Sequence, residues 1–484
     1  MVRFGVRYHG WSVGMRVAAQ LAVALLLSLG ASNVVAQIGG GGGTGGGGGG
    51  TIGTGSTSGV AVDAEGVLRQ TMVNDPTGEL SRQRAQEALA RLGRDVARPS
   101  QLRKISLNRL ERLMAQQIAA GKGVDDVMKN LAGLTRVKYV FCYPESGDIV
   151  LAGPAEAWGE APSGRVMGID SGRPIVQLQD MIVALRMFAP GDKNKSPFIY
   201  CSIDPTPEGL SRMQQFLHDM GPRLSSPNQE QFIVEQLRDR LGLQMITVGG
   251  VPANTHFAQV MVEADYRMKL IGIGLEQPPV RLKSYVARAN PHQIASNALE
   301  RWYFMPDYEC VRVSDDALAM ELVGEGVKLV GEAEVVGQNG QRSVAKRGNP
   351  ASQAFVNAFT KVYPKLAQKS PVYAQLRNCI DLAVAAAFIR DQDYYGLAKW
   401  QPTVFYDESA YPVQTLNAPK QVASAVNSMW KGSMLVTPIG GGVQMRPTEA
   451  ISPTNLLDDQ EQAVAKARTE TDLSHLAPDQ WWWD

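Results

Sequence analysis

The stretch NTHFAQVMVEADYRMKLIGIGLEQPP, residues 254–279, decides how the rest of the chain is read. Phe257, Val260, Met261, Ala264, Met268 and Ile271 recur at helical spacing and give one apolar face, with Asn254 or Thr255 available to cap the first turn. Asp265 and Lys269 stand four apart in acid-then-base order, which predicts an ion pair on the helix surface. His256 and Glu263 are seven apart, about two turns, and so lie on the same side. That spacing makes them candidate catalytic residues, an acid–base pair; the alternative is a satisfied structural histidine beside a solvated carboxylate.

Working outward, LQMITVGG (243–250) reads as a strand. Before it, Ser226-Pro227-Asn228-Gln229 opens a helix with a capping-box pattern, Ile233, Leu237 and Leu241 share its face, and Gly242 ends it. VQLQDMIVALRMF (176–188) is helical in pattern and SPFIYCSID (196–204) strand-like, after which Asp204-Pro205 predicts a further helix capped by Asp204. The succession points to an α+β, or mixed α/β, fold in which amphipathic helices pack on mixed β-sheets with some parallel pairing.

The same patterns continue on either side. GVAVDAEGVLR (59–69) and TRVKYVFCYPESGDIVLAGP (135–154) read as hairpins, and SLNRLERLMAQQIAAG (106–121) as an amphipathic helix. Beyond residue 300 strands dominate: RWYFMP, ECVRV and ALAMELVGEGVKLVGEAEVV carry apolar runs broken by Gly324, Gly326 and Gly331, as in a meander. PVYAQLRNCIDLAVAAAFIRD (371–391) is apolar almost all round from Cys379 to Ile389, which predicts a buried helix. Asp381 sits inside that run and is a third candidate catalytic residue; the alternative is an architectural ion pair with Arg377, four residues earlier.

The N-terminus carries the parts of an export signal in order. Arg3, Arg7 and Arg16 precede an apolar run from Val17 to Leu29, and Val34-Val35-Ala36 offers a cleavage site before Gln37. Nothing later is expected to reach membrane-spanning length, so the chain is read as exported, to the periplasm or cell envelope. Residues 37–59 are glycine-rich and are read as a flexible tether. Residues 60–300 then form a mixed α/β body, 301–435 its strand-rich continuation with the buried helix, and 436–484 a loosely structured tail. Three consecutive tryptophans at the tail cannot all face one side. Trp481, Trp482 and Trp483 are therefore candidate partner-binding residues, unless the tail folds back on its own body.

Loss of residues 1–36 removes three arginines and no acid, which takes the formal charge from +1 to −2. That balance leaves no electrostatic footprint for nucleic acid. Four cysteines, Cys142, Cys201, Cys310 and Cys379, are too widely spaced for a zinc site and are compatible with buried thiols or with bridges. A Cys/His pair drawn from Cys142, Cys201, His218, His256 and His292 stays open, because sequence separation does not report convergence. GWSVG (10–14) has the form of a nucleophile elbow but lies in the signal, and SVAK (343–346) lies in a loop with no Lys-Thr-Gly after it. No zinc, nucleotide or calcium motif occurs, and no cofactor or metal is expected.

The blocks RKISLNRLE, VFCYPESGDIVLAGPAE, CSIDPTPEGL, HFAQVMVEADYRMK, RWYFMPDYECVRVSDDALAMELVGEGVKL and PVYAQLRNCIDLAVAAAFI carry a family likeness. Over roughly residues 60–435 the chain resembles a family of secreted planctomycete proteins, the domain of unknown function numbered fifteen-ninety-eight. The resemblance implies export and one continuous body, and it brings no activity or site residue. The functional expectation is a non-enzymatic binding or structural protein of the envelope with a protein or polymer partner. The alternative is a hydrolase acting on envelope peptide or glycan, through the His256 and Glu263 pair or a Cys/His pair.

Overall fold

The computed structural model describes residues 56–191, 196–221, 230–290, 298–336, 341–345, 348–430, 434–436, 439–471 and 473–484. The signal segment, most of the tether, the 226–229 capping box, His292 and Lys346 lie outside the described residues.

Two large sheets carry the fold. The first runs, edge to edge, Ser56–Val62, Val67–Asn74, Gln421–Ala423, Leu243–Gly249, Ile199–Asp204, Ile439–Met445, Ala298–Pro306, Val327–Val336 and Arg342–Val344. Ile439–Met445 runs parallel to Ala298–Pro306 and Gln421–Ala423 parallel to Val67–Asn74, while their other neighbours are antiparallel. The second sheet runs Leu456–Asp458, Val311–Val313, Ala319–Leu322, Tyr139–Tyr143, Asp148–Ala155, Ser100–Ser106 and Trp482–Trp483. The architecture is α+β with mixed sheets, and the strand-rich stretch after residue 300 divides its strands between the two. Residues Gly53–Asp484 form one compact unit.

Both hairpins form where turn chemistry places them. Asp63 Oδ1 accepts a hydrogen bond from Val67 N at 2.8 Å and Gly66 takes a positive φ of 86°. In the second, Tyr143 faces Asp148 across a turn in which Gly147 has φ 70°. The first hairpin begins at Ser56, so the stretch expected to run as tether to Gly59 ends in a strand.

The His256–Ile273 helix is the centre of the molecule. It packs on Ile199–Asp204 and Ile439–Met445 of the first sheet and against the helices Leu178–Met187 and Pro371–Asp391. Covered by a sheet and by helices, it buries its polar positions along with its apolar ones, Glu263, Asp265 and Lys269 included. The expected solvated face does not exist. The Pro371–Asp391 helix is buried from Val372 to Arg390. By length and hydropathy it could cross a membrane, contrary to expectation, but its apolar length is spent inside the fold.

Asp204 caps no helix. The helix after it is Pro207–Met220, capped by Thr206, whose hydroxyl accepts from Gly209 N at 3.0 Å. Asp204 ends its strand and pairs with Arg301 at 3.0 Å and Arg342 at 3.2 Å.

The last fifty residues are not a loose tail. Ile439–Met445 lies inside the first sheet, where Gly441 (φ 119°) would bring a Cβ within 1.9 Å of the Trp302 carbonyl. Gly440–Gly442, inside the stretch expected to be loosely structured, mark a strand with no room for side chains. Trp482–Trp483 forms an edge strand beside Ser100–Ser106, with Trp482 opposite Ile105 and Trp483 opposite Lys104. Trp483 joins Phe141, Tyr143, Val150 and Val464 in a small core on the second sheet, and Trp481 is buried in the main core.

Candidate functional site

Thr255 starts the central helix, its Oγ1 accepting from Ala258 N at 3.3 Å, and this sets His256 at the first helical position. From there the imidazole reaches Asp180 of the Leu178–Met187 helix: Nδ1 lies 2.9 Å from Oδ2 and 3.0 Å from Oδ1. Asp180 is buried and His256 retains a side-chain exposure of 19%. A carboxylate partner assigns the proton to Nδ1, leaving the Nε2 lone pair to accept from Gln375 Nε2 at 3.5 Å.

Glu263 does not meet His256 directly. It is clamped between two guanidiniums, Arg165, which hydrogen-bonds it, and Arg267, 3.6 Å away. The same Arg165 donates to Gln375 Oε1, so histidine and glutamate end in one network joined through Arg165 and Gln375. Arg267 also pairs with Glu276 at 2.7 Å. Every charge here has an opposite partner, an arrangement that fixes helices to one another as well as it prepares a reaction.

Asp381 is held elsewhere. Its Oδ2 accepts from Arg136 Nε at 2.8 Å, while Arg377, the partner expected from spacing, reaches Glu325 at 2.9 Å. Arg136 arrives from far along the chain and donates also to Gly324 O at 2.7 Å, a partnership no helical spacing encodes. Burial raises Asp381 above the ordinary carboxylate range, against the pull of Arg136 and Arg377. Asp265 and Lys269 pair as expected but in the interior rather than on the surface.

The cysteines form no bridge among themselves. All four are buried free thiols. Burial pushes Cys142 and Cys310 up to about 12 and holds Cys201 and Cys379 well above the ordinary thiol value. His218 is exposed and sits 3.5 Å from Asp219. Cys379 lies one turn beyond Gln375 on the same helix, yet as a protonated thiol it offers no ready nucleophile. Among the described residues no three His, Cys, Asp or Glu side chains are grouped to hold a metal ion.

The tail tryptophans are occupied within the fold. Trp481 O accepts from Ser106 N at 2.9 Å, Trp482 lies under Arg103, 4.7 Å from ring centre to guanidinium, and Trp483 is buried. Trp481 and Trp483 thus follow the fold-back alternative, and Trp482 stays partly exposed.

Asp180, Arg165 and Gln375 were not singled out from sequence. Asp180 carries the signal that marked Asp381, a carboxylate inside an apolar helical run; Arg165, in a turn, carries none.

Residues 201–285 match the model of a family described as a protein of unknown function, DUF1598. The match spans His256, Glu263, Asp265 and Lys269, and of the blocks that carry the broader likeness it takes in CSIDPTPEGL and HFAQVMVEADYRMK. No curated protein and no solved structure matches the chain.

Proposed function

We propose that this chain is an exported protein of the periplasm or cell envelope, whose folded body binds a partner without transforming it. The observation that carries the reading is the state of His256. Its Nδ1 is taken by Asp180, its Nε2 faces the Gln375 amide, and the neighbouring Glu263 is neutralised by Arg165 and Arg267. The ordered charge, apolar run and small residues of positions 1–36 support export. Fractionation of the host, with N-terminal sequencing of the recovered protein, tests it: a mature chain beginning at Gln37 outside the cytoplasm is expected. An unprocessed cytoplasmic chain would overturn it.

The Asp180–His256 pair also favours a second reading, a hydrolase of envelope peptide or glycan. A carboxylate that orients an imidazole through Nδ1 leaves Nε2 as a general base once Gln375 swings aside. Hydrolysis that vanishes in His256→Ala, with the fold intact, would establish it.

A further inference from the structure

A cleft of about 470 Å³ opens on the face of the molecule where the Glu79–Arg91 helix, the Asp126–Lys129 turn, the Trp158–Glu160 strand and the start of the Leu178–Met187 helix meet. Its size is that of a small-molecule site.

Five side chains on its wall have hydrogen-bonding capacity left over. Asn130 donates to Asp126 O at 2.8 Å, which leaves its Oδ1. Gln179 donates to Gln177 Oε1, which leaves Gln179 Oε1 and the Gln177 amide N–H groups. The Tyr411 hydroxyl and the Trp158 indole N–H have no partner among the described residues, and neither is a fully enclosed polar atom. Burial pushes Tyr411 up to about 12, so its hydroxyl is a donor as well as an acceptor at neutral pH.

Charge on the wall is balanced and internally satisfied. Lys129 lies 3.4 Å from Asp126, Glu160 lies 3.6 Å from Arg84, and Arg91 donates to Glu87 O at 3.2 Å. An ionic ligand meets both signs and gains little; a wholly apolar one strands the amides and the indole N–H, at the cost of unmade hydrogen bonds.

The wall is also rigid. Leu131, Ala132 and Gly133 are three successive left-handed residues, with φ 43°, 47° and 84°. Arg103, fully buried, holds that turn by donating to Ala132 O at 2.7 Å. Gly133 admits the Trp158 ring, since a Cβ there would lie 2.8 Å from it. Such strain, held by its surroundings, is found where a site is preorganised.

We propose that this cleft binds a neutral carbohydrate, one or two sugar rings lying against Tyr411 and the small part of the buried Trp158 that the cleft reaches, with their hydroxyls exchanging hydrogen bonds with Asn130, Gln177 and Gln179. A sugar ring combines an apolar C–H face with alternating donors and acceptors, which is what this wall presents. A peptide captured by strand addition needs a free row of main-chain groups. The Trp158–Glu160 strand is paired with Val166–Gly168 on one edge, and the Glu79–Arg91 helix lies so close on Gly159 that a Cβ there would meet Ala88 Cβ at 2.8 Å.

The proposal rests on the binding reading above, and one experiment separates the two. The purified full chain is titrated calorimetrically with the trimers of N-acetylglucosamine, glucose (maltotriose and cellotriose) and xylose, and with pentaglycine. Saturable binding of at least one trisaccharide is expected, weakened about tenfold by Gln179→Ala and by Tyr411→Phe at unchanged unfolding temperature. Silence with every trisaccharide, binding indifferent to both variants, or preference for pentaglycine overturns it. Chromatography of the recovered sugar decides the other reading: intact sugar supports binding without turnover, and cleaved sugar sinks that reading while leaving the cleft assigned.

Discussion

Lys269 Nζ lies 2.8 Å from Asp265 Oδ2 in the middle of the protein, and spends its other two protons on the carbonyls of Ile203, at 2.8 Å, and Gly441, at 3.1 Å. One ammonium thus ties the central helix to two adjacent strands of the first sheet. The carboxylate is served less well, since its Oδ1 has no hydrogen-bond partner among the described residues. Burial raises Asp265 from the ordinary 3.8 to about 6, only partly offset by Lys269.

That shift fixes a pH dependence. The folded state holds the Asp265 proton more tightly than the unfolded chain does, so this group favours folding fully below about pH 4 and loses that contribution as pH rises through about 6. The effect is at most about 3 kcal/mol. Denaturant unfolding between pH 4 and 8 should show it as a component that Asp265→Asn removes. Parallel profiles for the two proteins would refute the assignment.

Arg103 and Asp484 make the second prediction. The guanidinium is fully buried and makes five hydrogen bonds, two of them to Asp484 at 2.8 and 3.1 Å, the rest to Val96, Arg98 and Ala132 carbonyls. Removing residues 481–484 strips this cation of its only carboxylate partner among the described residues and uncovers a sheet edge. A loss of more than about 4 kcal/mol is expected, with about 1–3 kcal/mol for Asp484→Asn. Unfolding midpoints in urea check both, and a truncated chain of unchanged stability would restore the tail as a free partner-binding peptide.

The third concerns Trp302, whose indole N–H donates to Ser352 Oγ at 2.8 Å in the core. Gly272 on the central helix faces the ring so closely that a Cβ would lie 2.1 Å from Cζ3. Gly272→Ala normally favours a helix, yet here it should destabilise by about 1–3 kcal/mol through overpacking. Any gain in unfolding temperature in that variant contradicts the packing.

Local chemistry was legible in the sequence wherever it is written in neighbouring residues. Both hairpins, the apolar face of residues 256–273 and the burial of 371–391 follow from periodicity and turn residues. What was not legible depends on partners distant in sequence. Asp381 takes Arg136 rather than the helical neighbour Arg377, and Asp204 takes Arg301 and Arg342 rather than a helix N-terminus. Glu263 and Lys269 read as solvated because a helix pattern says which residues are apolar, and not how many sides of the helix are covered. Residues 436–484 read as a loose tail because glycine carries the same composition signal in a turn and in the crowded strand that Gly440–Gly442 occupy.

The last prediction separates architecture from chemistry at His256. If its role is to hydrogen-bond and orient Asp180, removing either side chain strands the other in a largely buried place. His256→Ala and Asp180→Ala should then each cost about 1–3 kcal/mol, and the double variant less than their sum, because the interaction is lost once. Glu263→Ala should cost more, about 3–5 kcal/mol, since it leaves Arg165 without its carboxylate and takes one of two from Arg267. The check is a double-mutant cycle from urea unfolding, run beside a hydrolysis screen on envelope peptide and glycan. Full coupling with no turnover to lose supports a structural pair. Additive, small stability effects together with a hundredfold or greater loss of a measured hydrolysis in His256→Ala would make the imidazole a working base, for which a loss of about that size is ordinary.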